Sequence, residues 1–128
     1  MSKYVDGFVL IIPKKNVAAY RKMATEGGKI WMECGALEYM ECMGDDLSPN
    51  MGGEKVATFP QMAKAKKGET IWFSYIVYKS KKHRDQVNKK VNAEMAKRYA
   101  GKKDVSMPFD PTRMAYGGFS SVVSLGKK

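Results

Sequence analysis

Alternation opens the chain. Across residues 4–12, Tyr4, Asp6, Phe8, Leu10 and Ile12 fall on one side and Val5, Gly7, Val9 and Ile11 on the other, the period of a β-strand that Pro13 ends. The period then lengthens. Val17, Tyr20, Ala24, Gly27, Trp31 and Cys34 recur at three- and four-residue steps, which predicts a helix from an Asn16 N-cap to about Cys34, with Gly35 as its stop. Gly27 and Gly28 each cost such a helix about 1 kcal/mol against alanine. Gly27 lies on the stripe, so a close approach of helix to sheet is the expected compensation. Residues 36–43 read as a second strand, closed by Gly44-Asp45-Asp46 and followed by a loop rich in Pro, Gly, Asn and Asp. Thr58-Phe59-Pro60 opens a short helical turn reaching about Lys66. Residues 70–79, aromatic and β-branched nearly throughout, carry the strongest strand signal. Ser80 caps a second long helix reaching about Ala100, and a loop with Pro108 and Pro111 leads to a last strand over 113–124.

The order β-α-β-β-α-β, with an insertion between the second and third strands, predicts an α+β ferredoxin-like domain. It is a four-stranded antiparallel sheet with the first and third strands central and two helices on one face. The 128 residues suit one domain, since two would each fall short of core. In the third strand Ile71, Phe73, Tyr75 and Val77 point one way, and Trp72, Ser74, Ile76 and Tyr78 the other. Both faces are largely apolar, but the two helices cover only one. The second face therefore calls for another cover, and a second copy packed sheet against sheet, a homodimer, is the economical one.

Charge and cysteine usage narrow the class. The apolar run at 8–12 is too short for a signal-peptide core or a membrane span. Cys34 and Cys42 have no paired or metal-ligand spacing, which with no export signal points to a cytoplasmic protein. The net charge of +10 gathers at Lys64, Lys66 and Lys67, over 79–84, at Lys89 and Lys90, and over 97–103. It reads first as a solvated lysine-rich face and second as an attraction for polyanions.

No phosphate-binding loop, dinucleotide-binding glycine pattern, clustered metal ligands or nucleophile elbow is present, so no cofactor is expected. His83, the lone histidine, falls in the first turn of the second long helix. Arg84 projects onto that helix's apolar stripe of Val87, Val91, Met95 and Tyr99, where a charge needs a partner. With the helix start placed near the start of the last strand, Asp110 and Arg113 come to the same region. Arg84 and Asp110 then form a structural salt bridge, or Arg84 and Arg113 hold an anionic substrate to which His83 transfers a proton. Asp6 stands in the middle of an apolar strand face. It is either paired with a lysine or tyrosine of the last strand, or a functional carboxylate raised by burial toward a general base. Tyr39, Glu41, Trp72 and Tyr116 line the same cavity if the strand registers fall that way, since a slip of one residue reverses every face.

The runs Tyr4-Val5-Asp6-Gly7-Phe8-Val9-Leu10, Gly35-Ala36-Leu37-Glu38-Tyr39 and Ile76-Val77-Tyr78-Lys79-Ser80 resemble the YbaA-like family of uncharacterised proteins (domain of unknown function 1428). So do His83-Arg84-Asp85, Met107-Pro108-Phe109-Asp110, and Arg113-Met114 with Tyr116-Gly117-Gly118-Phe119. The insertion around 47–54 is longer and richer in glycine than the family pattern. The resemblance implies the dimeric α/β-barrel superfamily, in which two ferredoxin-like sheets close on each other, and implies no activity. Haem-degrading monooxygenases of that superfamily carry an Asn on the first strand, a Trp on the third and a His on the second helix. Asp6, Trp72 and His83 stand on those elements here, with Asp in place of Asn. Three functional expectations follow. The first is a small-molecule-binding, cofactor-free enzyme with Asp6 and His83 catalytic, a pocket in each barrel half, and a small organic anion or aromatic metabolite as ligand. The second is a non-catalytic ligand-binding or stress-related dimer. The third is non-specific nucleic-acid or anion binding through the lysine face; the aromatic third strand lacks the Lys/Arg-Gly-aromatic pattern of RNA-recognition domains.

Overall fold

The computed structural model describes residues 2–101 and 107–127, which leaves Lys102 and Lys103 of the basic cluster outside the described residues. The elements run β1 (Tyr4–Pro13), α1 (Val17–Glu33), β2 (Glu38–Met43), α2 (Phe59–Ala63), β3 (Glu69–Tyr78), α3 (Lys81–Arg98) and β4 (Ala115–Ser120). The sheet order is β2-β3-β1-β4 with every pairing antiparallel, so the first and third strands are central and the fold is ferredoxin-like.

The helices pack on the face that carries Phe8, Leu10 and Ile12 of β1. Leu10, Ile12 and Trp72 meet Tyr20 and Ala24 of α1 and Phe109 in one core cluster. Ile76 and Tyr78 meet Ile30, Ala36 and the α3 residues Val87 and Val91 in a second. Phe8 touches both clusters and joins them. Burying such aliphatic and aromatic side chains contributes about 1.5–3 kcal/mol each; in the lysine-rich α3 only Val87 and Val91 are buried.

Local details depart from the sequence expectations in instructive ways. A 3-10 turn over Lys14–Asn16 precedes α1, and the Asn16 side chain caps nothing there; its Nδ2 donates to the carbonyl of Pro108 (2.9 Å), tying the loop before β4 to the end of β1. Gly28, not Gly27, is where α1 closes on the sheet. A Cβ at Gly28 would sit 2.7 Å from the Tyr39 ring, whereas at Gly27 it would meet only Trp31 at 3.9 Å. The rest of the expected stripe, Val17, Tyr20, Ala24, Trp31 and Cys34, does pack against the core clusters. Helix α2 is shorter than expected and ends at Ala63. Thr58 accepts from the Gln61 backbone while the Gln61 side chain accepts from Thr58, a reciprocal capping box. Strand β4 is also shorter than the expected 113–124. Beyond Ser120 the residues Val122, Val123 and Leu125 are exposed and make no strand.

The second face of the sheet is only partly covered. Phe59 of α2 meets Phe73 edge-on, yet Phe73, Met40 and Phe119 stay exposed beside half-buried Val5, Val9 and Tyr75. Among the described residues no helix is long and apolar enough to cross a membrane.

Arg113 clamps the far end of the sheet. Its guanidinium donates to both carboxylate oxygens of Glu69, at 2.5 and 2.9 Å, and to the carbonyl of Lys64 (3.1 Å). Hydrogen bonds from Arg113 and from the Lys66 backbone hold the Glu69 carboxyl at about 2, below its usual 4.5. A lowered folded-state value gives stability that is present above the ordinary range and lost as pH falls through the folded value. Arg113→Ala should therefore melt at a lower temperature than wild type at neutral pH, and the gap should close between pH 4.5 and about 2. A gap unchanged across that window would show that the clamp acts through packing alone.

Candidate functional site

Register decides which side chains meet. On the helix-facing side, Glu41 of β2 lies directly opposite Ser74 of β3, Tyr39 opposite Ile76, and Met43 opposite Trp72. The Ser74 hydroxyl therefore donates to Glu41 Oε1, and Tyr20 from α1 donates to the same oxygen (2.9 Å). Tyr39 donates to Oε2 (2.6 Å). Burial, reinforced by Glu41, pushes both phenols well above the usual tyrosine range, so both stay protonated as donors. One carboxylate thus gathers donors from α1, β2 and β3, with three of its four acceptor positions filled.

Glu41 faces a cavity of about 770 Å3 between α1 and the β2 edge of the sheet. Its walls are mainly apolar, with Val17, Ala24 and Met32 from α1 and Met43 and Trp72 from the sheet. Arg21, Thr25 and Lys29, each one turn further along α1, are exposed along its mouth. The volume lies within the range of about 300–1,000 Å3 usual for small-molecule sites, and an apolar lining with a few convergent polar groups is their usual character. A second, smaller cavity of about 140 Å3 shares Tyr39 and Glu41 and runs inward to Phe8, Leu10 and Met114. Trp72 is fixed at the outer cavity by an indole N–H donated to Thr70 Oγ1 (3.0 Å) and by an edge contact with Tyr20.

Asp6 sits in a different place and a different state. It is 1% exposed, lies opposite Gly118 of β4, and is enclosed by Tyr78, Tyr116 and Arg84. The Tyr78 and Tyr116 hydroxyls lie close enough to its carboxylate to favour the charged form, and Tyr78 donates to Asn88 Oδ1 (3.4 Å). Arg84 Nε lies 3.8 Å from Oδ1, ion-paired but too long for a hydrogen bond, and neither atom has another hydrogen-bond partner. Arg84 spends its remaining donors on Tyr116 (3.3 Å) and Tyr4 (3.2 Å), and Asp85 lies 3.3 Å from Nε. The Tyr4 ring has room to reach it because Gly118 carries no side chain; a Cβ there would collide with the Tyr4 hydroxyl. Burial pushes the Asp6 carboxyl up, against the opposing pull of Arg84 and the two tyrosines.

The other candidates scatter. Arg84 pairs with Asp6 and Asp85 rather than with Asp110, which caps the turn at Pro111–Arg113 by accepting from Thr112. The reason is topological. Tyr4 pairs with both Tyr78 and Ser120, so α3 begins near the end of β4, not its start. Arg113 is at the opposite end, on Glu69. His83 Nδ1 accepts the Lys79 backbone N–H (3.0 Å), its ring sits edge-on to Tyr78, and its Nε2 points toward Gly35. Asp6, Trp72 and His83 thus make separate contacts rather than one site. Tyr39 and Trp72 line the outer cavity with Glu41, while Tyr116 belongs to the Asp6 cluster. Among the described residues no three His, Cys, Asp or Glu side chains gather around a position for a metal ion.

Fold and site together describe a small α+β protein with an open, mainly apolar cavity under its first helix. The family model described as "Protein of unknown function (DUF1428)" matches residues 3–111, and the chain belongs to that family. "Uncharacterized protein YbaA" of Escherichia coli (strain K12) is 40% identical over 121 residues, which covers 94% of this chain and 97% of that one. "Uncharacterized protein YbaA" of Shigella flexneri matches at the same identity and coverage. Among solved structures, "De novo designed protein Foldit4" superposes with a TM-score of 0.44 at 10% identity over 97% of this chain and all of that one, a likeness on which nothing here rests.

A carboxyl raised on folding gives stability that is full below its unfolded value and lost as pH rises through the folded one. Asp6→Asn removes that loss. The melting temperature of Asp6→Asn relative to wild type should therefore climb as pH is raised from below 3.8 to neutral. A relative decline over the same range would mean that pairing with Arg84 outweighs burial.

Proposed function

We propose that this protein binds a small organic molecule in the cavity between α1 and the β2 edge, with Glu41 as its polar contact. The observation that supports this reading is the convergence on one carboxylate of three fixed hydroxyls, with its remaining acceptor position open beside a cavity of about 770 Å3. Holding a carboxylate in this way pre-organises it, because rotamers locked by neighbours lose little freedom when a ligand arrives. Asp6 and His83 fit a catalytic role less well, since Asp6 is 1% exposed beside Arg84 and His83 Nδ1 accepts the Lys79 backbone N–H, both away from this cavity. If the ligand is turned over, Glu41 is the group that meets it.

The uncovered sheet face supports a second part of the reading, a homodimer joined through Met40, Phe73 and Phe119. These exposed apolar residues share one surface opposite the helices, and two such sheets packed face to face bury both. Each protomer then keeps its own cavity on the outer side.

Native mass spectrometry of the protein as purified tests both parts. Wild type should appear at twice the chain mass with a reproducible small adduct. Thr25→Trp places an indole in the cavity mouth from an exposed position, and should keep the dimer mass but lose the adduct. Phe119→Lys should shift the protein to the single-chain mass. A bare wild type, or an adduct retained by Thr25→Trp, contradicts the cavity reading; a single-chain wild type contradicts the dimer.

A further inference from the structure

The charges around the cavity are unevenly satisfied. Glu41 is half-buried, and among the described residues no lysine or arginine lies within ion-pairing distance of it. Its three hydroxyl donors are neutral, so its charge stays uncompensated. A carboxylate withdrawn from water without a counter-charge is costly, and that cost is relieved by a cation delivered with the ligand. Two aromatic rings stand beside the open position, Tyr39 and Trp72, and aromatic faces attract ammonium groups as well as apolar ones.

The mouth has the opposite sign. Glu33 also lines it, 3.5 Å from an Arg98 guanidinium of α3 that pairs more closely with Glu94 (2.9 Å), so one acid stands against two basic residues there. Arg21 and Lys29 are left there, both exposed and neither in an ion pair among the described residues. They lie eight residues apart on one face of α1, with Thr25 between them and Glu33 as the next residue of that row. Anionic inner end, apolar walls, cationic rim: the cavity is polarised along its depth.

We propose, resting on the cavity reading above, that the ligand is amphoteric. It carries a protonated amine that meets Glu41 Oε2, an aromatic or saturated apolar body against Trp72 and Met43, and a carboxylate or similar anion at Arg21 and Lys29. A purely cationic ligand is opposed by the rim, and a purely anionic one by Glu41. Its two charges therefore sit at opposite ends of the body.

Three probes that share one ring separate these contributions: para-aminomethylbenzoate, benzylamine and para-methylbenzoate. Binding is followed by the NMR signal of the Trp72 indole N–H, assigned with Trp72→Phe. The amphoteric probe should bind about tenfold more tightly than benzylamine, and para-methylbenzoate most weakly, because complementary charge pairs add while mismatched ones subtract. Arg21→Ala, a change at an exposed position, should bring para-aminomethylbenzoate down to the level of benzylamine. Glu41→Gln should erase the advantage of both amines over para-methylbenzoate. If no probe moves the Trp72 signal, the cavity reading itself fails and this proposal with it. If para-methylbenzoate binds as well as para-aminomethylbenzoate, the cavity stands and the inner cationic end is overturned. If benzylamine matches para-aminomethylbenzoate in wild type, the anionic end is overturned.

Discussion

The position of Glu41 is the constraint on which the helix–sheet arrangement turns. An acid on the inner face of the edge strand β2 is stable only if donors reach it, and they come from three elements: Tyr20 of α1, Tyr39 of β2 and Ser74 of β3. Hydrogen bonds to a charged group contribute about 1.5–3 kcal/mol each, and losing a partner leaves a desolvated charge behind. Helix α1 must therefore lie low enough over β2 for Tyr20 to arrive, and Gly28 against the Tyr39 ring is what lets it. The cavity runs beside that contact, lined by Ala24, Gly28 and Met32 of α1 and by Tyr39, Glu41 and Met43 of β2.

Two carboxylates thus sit on the inner face of one sheet with opposite fates. Asp6, on the central strand β1, is enclosed by Arg84 and tyrosines from three strands, and its network ties β1, β3, β4 and α3 together. Glu41, on an edge strand, keeps a position open to a cavity. Edge placement makes the difference: a central strand has a neighbour on either side to supply partners, whereas β2 has only β3.

The architecture was legible in the sequence because its elements carry clean periods. The alternation of 4–12 and the aromatic run of 70–79 mark the two central strands, and Ser80 does cap α3 by accepting the His83 backbone N–H. The site was legible only in part. Tyr39, Glu41 and Trp72 do share a cavity, but not with Asp6 and Tyr116 as expected, and β2 reads Glu-Tyr-Met-Glu-Cys-Met, with acids on both faces, and does not announce which one is inward. Asp6 is conspicuous as a carboxylate amid apolar residues, while its neighbours Tyr78, Arg84 and Tyr116 lie far along the chain and are set by pairing that no local pattern encodes. The close approach at Gly28 rather than Gly27 had the same origin: two adjacent glycines look alike until a ring is placed against one of them.

The central claim is that Glu41, not Asp6, is the carboxylate that meets a ligand. A crystal structure of the protein as purified, with nothing added, tests it most directly. The account predicts non-protein density in the cavity between α1 and β2, with a donor atom at hydrogen-bonding distance from Glu41 Oε2. Density enclosed at Asp6 and Arg84 instead, with the Glu41 cavity holding only water, would contradict it.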